Sequence, residues 1–173
     1  MFEKEYNEYL QNFAIWTSAR AVNRNFTKTS IIKKALISID FYNEILNLAK
    51  RTNLSETEFD NWHSETNKKL RKELSRYVNT DKVTYGRVSK IIAIYIKTAH
   101  VLQNPGDSLS KVAHIPIDRI LLNNLSMNDE HFKSLKWTLL NQRNYYNLVD
   151  KLRIRQKKEG FKYFWMLEKY WVV

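Results

Sequence analysis

The sequence has no cysteine, only three glycines and only two prolines among its 173 residues. The absence of cysteine excludes disulfides, thiol nucleophiles, iron–sulfur clusters and zinc sites with cysteine ligands. So few turn-forming residues argue against a sandwich or barrel of many strands. A hydrophobic content of 43%, with 13% aromatic residues, argues against disorder. We therefore predict an all-α protein, and its length suits a single domain.

Long apolar runs are also missing, because charged residues interrupt the apolar ones along the whole chain. The first ten residues, MFEKEYNEYL, have neither an apolar core nor a basic leader. We therefore expect no membrane span, no signal peptide and a cytoplasmic location. The four histidines show no metal-ligand spacing, and the chain has no glycine-rich phosphate loop and no G-x-S-x-G element. We expect neither a metal nor a cofactor.

Positive charge dominates the second half of the chain. Lys and Arg total 29 against 18 Asp and Glu, which gives a formal net charge of +11 and a pI near 9.7. Residues 82–173 hold 16 of the basic and 7 of the acidic residues, whereas residues 1–81 hold 13 and 11. Such an excess is typical of proteins that bind nucleic acids or anionic surfaces, although it also favours solubility alone.

Apolar residues recur at helical spacing through most of the chain and predict a compact bundle of about seven or eight helices. The most regular segment runs from Tyr85 to about Gln103, with Thr84 as its cap. The aromatic residues after Gly160 are interpreted as core or as an oligomer contact. Other predicted helix signals are a helix from Phe2 to about Arg24, a cap at Thr29 or Ser30, a capping box at Ser55–Glu58, one or two helices over about 128–159, and a stop at Gly160.

Two stretches combine charge with a defined position on a helix. Arg87, Lys90 and Lys97 are spaced three and seven residues apart, which places three cations along one face of the Tyr85 segment. Later, Ile115-Pro116-Ile117-Asp118 precedes a short apolar helix, where Asp is a favoured N-cap. Both features also have a purely structural interpretation, since amphipathic helices expose lysines and a capping Asp needs no other role.

Together these stretches, over about residues 84–125, resemble the catalytic region of the helix-hairpin-helix DNA glycosylases, most of all the archaeal 8-oxoguanine DNA glycosylases. In that family a catalytic lysine begins an apolar helix, a second lysine follows seven positions later, and a loop leads to an Ile-Pro-Val-Asp-like motif. Lys90, Lys97 and Asp118 stand in the corresponding places. The resemblance implies a cleft between two helical lobes, and N-glycosylase and strand-cleaving lyase activity in the repair of an oxidised purine.

The resemblance also implies roles for individual residues. Lys90 would attack C1′ of a nucleotide extruded from damaged duplex DNA, and Asp118 would assist departure of the base. The family's Leu-Pro-Gly-Val-Gly-like hairpin turn is replaced here by Thr84-Tyr85-Gly86. The implied DNA-binding residues are Tyr85, Gly86, Arg87 and Lys97, and the candidate walls of the substrate pocket are Trp16, His114 and Trp137.

Two other functions fit the same sequence. A non-catalytic helical protein would bind DNA through the same cationic face. A helical protein-interaction module, for instance from a bacterial defence or mobile-element locus, would carry the charge incidentally. Salt-dependent DNA binding separates the interaction module from the other two, and chemistry that depends on Lys90 separates the enzyme from the non-catalytic protein.

Overall fold

The computed structural model describes residues 2–127 and 132–172. Within these ranges the protein is helical and contains no β-strand, which confirms the all-α prediction. The first residues of the predicted 128–159 helical region, and His131 with them, lie outside the described residues. Over the described ranges, no helix has the length and apolarity needed to cross a membrane. The α-helices are α1 (Phe2–Arg20), α2 (Thr29–Ser38), α3 (Phe41–Ala49), α4 (Glu56–Leu74), α5 (Tyr85–Ile96), α6 (Ser108–Val112), α7 (Arg119–Ser126) and α8 (Gln142–Lys158).

Polar caps begin several helices at the predicted residues. Ser55 and Glu58 form the reciprocal capping box of α4, because the Glu58 N–H donates to the Ser55 hydroxyl at 3.2 Å and the Ser55 N–H donates to Glu58 Oε2 at 2.9 Å. Thr84 caps α5 and Asp118 caps α7, each through a side-chain oxygen. Gly160 follows α8 with φ of +71°, in the left-handed region that glycine adopts easily. These ends follow from local chemistry alone.

Several helix ends differ from the prediction, and α1 ends at Arg20 rather than near Arg24. The N-cap of α2 is Lys28, and no side chain accepts a hydrogen bond there, so a cap at Thr29 or Ser30 is wrong. The α-helix of the Tyr85 segment ends at Ile96, and a π-helical turn at Lys97–Val101 continues it. Such turns inside helices occur frequently at functional sites, because they change the direction of the side chains that follow.

Two groups of buried apolar side chains lie against α5. The first joins α5 residues such as Ile91 and Tyr95 to the apolar faces of α1–α4. The second joins Leu121 of α7 and Leu148 of α8 to the C-terminal segment, and Tyr85 of α5 belongs to it. Because α5 contributes to both groups, a polar side chain that points from α5 toward α7 is buried within the protein.

Gly86 allows the start of α5 to pack directly against the backbone of the 3₁₀ turn Trp137–Leu139. Its N–H donates to the carbonyl of Leu140 at 3.0 Å. A Cβ built on Gly86 would lie 2.0 Å from the carbonyl oxygen of Trp137. Any side chain at this position would therefore push the two backbones apart.

We expect Gly86→Ala to destabilise the protein by about 2–3 kcal/mol, because the new methyl group meets a backbone oxygen that cannot rotate away. Gly106→Ala is the matched control, since the nearest atom to a Cβ there is the Tyr163 hydroxyl at 3.7 Å. That control should change the free energy of unfolding by about 0.5 kcal/mol or less. Urea unfolding of both variants measures the difference, and equal stabilities would contradict the close approach.

Candidate active site

Lys90 and Asp118 meet in a buried ion pair between α5 and the start of α7. Lys90 Nζ donates to Asp118 Oδ2 at 3.1 Å, and the two side chains are only 8% and 11% exposed. The segment 113–118, extended and buried, carries Asp118 to this point. Pro116 keeps the segment out of a helix, since the residue before a proline favours an extended backbone. The structure thus brings together the two residues that the sequence singled out as nucleophile and carboxylate.

Each oxygen of Asp118 has its own hydrogen-bond donors. Oδ1 accepts the N–H of Leu121 at 3.0 Å, which is the N-cap bond of α7. Oδ2 accepts from Lys90 and also from Trp171 Nε1, at 3.0 Å. Burial acts to raise the pKa of Asp118, but the charge of Lys90 and these N–H donors outweigh it and hold the pKa below its ordinary value. Asp118 is therefore a carboxylate at neutral pH.

Two tryptophans contact the ion pair, Trp137 at Lys90 and Trp171 at Asp118. The centroid of the Trp137 ring lies 4.6 Å from Lys90 Nζ, at the distance of a cation–π contact. Trp137 therefore borders the ion pair, where the sequence analysis placed a pocket wall. Trp171 was missed, because the C-terminal aromatic residues were interpreted as core or as an oligomer contact. Their spacing carries no signal that one indole reaches Asp118.

The other two predicted wall residues lie away from the ion pair. Trp16 is 53% exposed on α1, and its ring stacks on Phe13 with the centroids 6.0 Å apart. His114 is buried, with Nδ1 3.0 Å from the Tyr145 hydroxyl and Nε2 2.8 Å from Asp60 Oδ1. Both ring nitrogens of His114 are thus engaged inside the protein. The structure brings neither side chain against the ion pair.

The residues expected to contact DNA at the start of α5 are turned into the protein. Tyr85 is buried, and its hydroxyl donates to that of Tyr146 at 3.1 Å. The amide proton of Gly86 is already donated to a backbone carbonyl, so it is not free for a phosphate. Arg87 is half-buried and donates from Nη1 to the Lys82 carbonyl at 2.8 Å. Tyr85 and Gly86 therefore form a packing surface rather than an exposed surface for DNA.

Lys97 begins the π-helical turn and pairs with Glu168, which lies in the C-terminal 3₁₀ helix Phe164–Tyr170. This pair borders a mostly apolar cavity of about 450 Å³, here named the aromatic cavity. Burial raises the pKa of Glu168, the charge of Lys97 opposes the rise, and the charge of Asp118 adds to it. The aromatic cavity is therefore within electrostatic reach of the catalytic candidates. Its other walls are Val101, Leu102, Phe161, Trp165, Met166 and Lys169.

A second concavity, of about 320 Å³, is bordered by Trp137 and by three exposed cations, Arg119, Lys133 and Lys136. We name it the basic cleft. No acidic side chain of the described residues lines it. These cations could not be identified as a group from the sequence, because they belong to separate elements and follow no helical spacing.

A buried polar cluster supports the segment that carries Asp118. Arg153 of α8 donates to both oxygens of Asp60 on α4, from Nη1 and Nη2, each at 2.8 Å. Asp60 in turn bonds to His114, so one carboxylate ties α8 and the segment 113–118 to α4. The ring centroids of His63 and His114 are 4.6 Å apart. Nε2 of His63 is buried without a hydrogen-bond partner.

Over the described part of the chain, no group of three or more His, Asp or Glu side chains is placed to hold a metal ion. Comparison of the chain with protein-family models, with curated proteins and with solved structures finds no match. A functional proposal therefore depends on the geometry of the site and on the resemblance of residues 84–125.

Proposed function

We propose that the protein is a DNA glycosylase with lyase activity on an oxidised purine, with Lys90 as nucleophile and Asp118 as its carboxylate partner. The observation that carries the proposal is the contact between them. Two residues 28 positions apart, singled out by a family resemblance, meet at 3.1 Å in one buried site. The net charge of +11 supports DNA as the ligand.

The ion pair contains the groups that the first chemical step requires. Lys90 passes one proton to Asp118 and becomes a neutral amine, whose lone pair attacks C1′ of the damaged nucleotide. As the bond between Nζ and C1′ forms, the bond between C1′ and the base breaks, and its electron pair leaves with the base. The base takes up the proton from Asp118, which returns to its charged form beside the positive charge that Nζ now carries.

The covalent intermediate then leads to strand cleavage. Nζ then passes its second proton to Asp118, and the nitrogen lone pair expels the ring oxygen of the sugar, which takes up that proton as an iminium ion forms at C1′. Removal of a proton from C2′ allows the 3′-phosphate to leave by β-elimination. Borohydride intercepts this sequence, because hydride transfer to the iminium carbon gives a stable amine that joins protein and DNA.

The aromatic cavity is placed to receive the extruded base. Its volume of about 450 Å³ falls in the range of small-molecule sites. Phe161 and Trp165 offer rings for stacking, and the Lys97–Glu168 pair offers polar groups to the edge of a purine. The charge of Asp118 raises the pKa of Glu168, so a base held there would share the electrostatic environment of the ion pair.

Entry of a nucleotide requires a movement, because Lys90 is only 8% exposed on its side chain. Trp171 is 41% exposed and is bound to Asp118 through one hydrogen bond from its indole. Displacement of this ring would expose the Asp118 carboxylate without disturbing a helix. We therefore propose that the sugar replaces the Trp171 indole beside Asp118.

Borohydride trapping tests the proposal. The protein, incubated with borohydride and a duplex containing one 8-oxoguanine, should form an adduct that survives a denaturing gel. A duplex with unmodified guanine is the substrate control, and Lys111→Gln, at an exposed lysine, is the protein control and should leave the adduct yield unchanged. Binding to the duplex without an adduct would contradict the proposal and favour a non-catalytic DNA-binding protein.

A further inference from the structure

The basic cleft has the chemistry of a site for a nucleic-acid backbone. We infer that it binds phosphates of a DNA strand immediately beside the nucleotide that Lys90 attacks. The inference rests on the proposed function for the identity of the ligand. It adds a strand-binding surface beside the start of α5. The cations of this surface, Arg119, Lys133 and Lys136, were not among the DNA-binding residues expected from the sequence.

The charge of the basic cleft is not compensated by the described residues around it. Arg119, Lys133 and Lys136 are all exposed, and none of them forms an ion pair within the described ranges. Asp118, which precedes Arg119 in the sequence, is buried and paired with Lys90. Three cations that converge on one concavity, with no carboxylate among its described lining residues, favour an anion with several charged groups, and a phosphodiester strand is such an anion.

The wall of the basic cleft is held in place before any ligand binds. The carbonyl of Thr138 accepts a hydrogen bond from the Thr84 hydroxyl at 2.7 Å. The carbonyl of Leu140 accepts from the Gly86 amide at 3.0 Å. These bonds fix the 3₁₀ turn Trp137–Leu139 to the start of α5. A fixed wall reduces the ordering that binding would otherwise require.

Trp137 connects the basic cleft to the ion pair. Its side chain borders the cleft, and its ring lies 4.6 Å from Lys90 Nζ. A strand held by the three cations would therefore pass close to the nucleophile. The indole also offers a surface on which a neighbouring base can stack without regard to sequence.

The salt dependence of DNA binding tests the inference. The logarithm of the affinity for duplex DNA falls with the logarithm of salt concentration by about 0.9 for each neutralised phosphate. The triple variant Arg119→Gln, Lys133→Gln and Lys136→Gln should therefore reduce this slope by about 2 to 3, and weaken binding on the order of a hundredfold at about 0.1 M salt. Titration of a fluorescent duplex at several salt concentrations measures both quantities.

A charge-matched variant separates local contacts from net charge. Lys28→Gln, Lys68→Gln and Lys72→Gln remove three exposed charges that do not line the basic cleft. This variant should keep the slope of the unmodified protein. Equal slopes for the two triple variants would overturn the inference, as would an unmodified protein whose affinity for the duplex does not depend on salt, or one that binds only a mononucleotide.

Adduct formation and the salt slope of DNA binding test the enzymatic activity and the strand-binding surface separately. At a DNA concentration that saturates the cleft variant, borohydride trapping should still give the adduct, because Lys90 and Asp118 are unchanged. If no adduct forms, but only the cleft variant has a reduced salt slope of DNA binding, the strand-binding surface is retained and the enzymatic proposal is ruled out. If the adduct forms and the cleft variant leaves the salt slope of DNA binding unchanged, the enzymatic proposal is retained and the strand-binding surface is ruled out.

Discussion

Lys90→Gln should abolish the borohydride-trapped adduct and reduce release of the damaged base by roughly 10³-fold or more. Glutamine keeps a polar side chain, one atom shorter than that of lysine, but has no amine, so the bond between Nζ and C1′ cannot form. The adduct is read on a denaturing gel, and base release is followed by chromatography. An adduct of undiminished yield in this variant would exclude Lys90 as the nucleophile.

The same substitution also changes stability, so its effect on chemistry needs a second variant. Removing Lys90 leaves the buried Asp118 carboxylate with only the N–H groups of Leu121 and Trp171. Loss of one partner of a buried ion pair costs about 3–5 kcal/mol. The double variant Lys90→Met with Asp118→Asn removes both charges and keeps a side-chain oxygen to cap α7, so much of this loss should be recovered.

The two variants together distinguish a catalytic pair from a structural one. If the double variant regains stability and still forms no adduct, unfolding does not explain the loss of chemistry. A merely structural pair would give the opposite result, with the adduct returning when the fold is restored. Urea unfolding and trapping on the same samples provide both readouts.

Features of the fold and of the site that depend on residues close in sequence could be predicted. The capping box at Ser55, the caps at Thr84 and Asp118 and the stop at Gly160 all arise from bonds or backbone angles within a few residues. Asp118 could be placed at a helix start for the same reason. Its contact with Lys90 was anticipated only through the family resemblance.

Features that depend on distant residues could not be predicted. Trp171 and Asp118 are 53 positions apart, and nothing in the aromatic spacing of the C-terminal segment indicates their hydrogen bond. Arg153 belongs to the basic second half of the chain, yet it is buried against Asp60, 93 positions away. Periodicity identifies which side chains are apolar, but it does not identify the partner of a charge.

The buried histidines make the stability of the fold sensitive to mild acid. Burial lowers the pKa of His63 well below 6.5, and protonation of His114 and the charge of Arg153 act in the same direction, while Asp60 opposes them. Burial also lowers the pKa of His114, against the carboxylates of Asp60 and Glu56. Below pH 6.5 the unfolded chain therefore binds more protons than the folded protein, and the free energy of unfolding decreases as the pH falls.

We expect His63→Leu to remove part of this dependence. A histidine that stays neutral in the fold costs up to about 2 kcal/mol between pH 6.5 and about pH 5. Leucine does not titrate, and it removes the unpartnered Nε2 of His63. The Tyr146 hydroxyl loses the histidine but keeps its bonds to the Asp60 carbonyl at 2.8 Å and to Tyr85 at 3.1 Å. The variant should therefore remain folded at neutral pH.

Urea unfolding between about pH 7 and pH 5 measures the effect, with Asn67→Ala as the control. Asn67 is buried on the same helix and donates to Ser89, but it does not titrate, so its loss should lower stability equally at every pH. The raised pKa of Glu168 stabilises the fold on acidification and acts alike in all three proteins, so it cancels in the comparison. An unchanged pH slope in His63→Leu would mean that His63 is not held neutral, and that water or a conformational change reaches its ring.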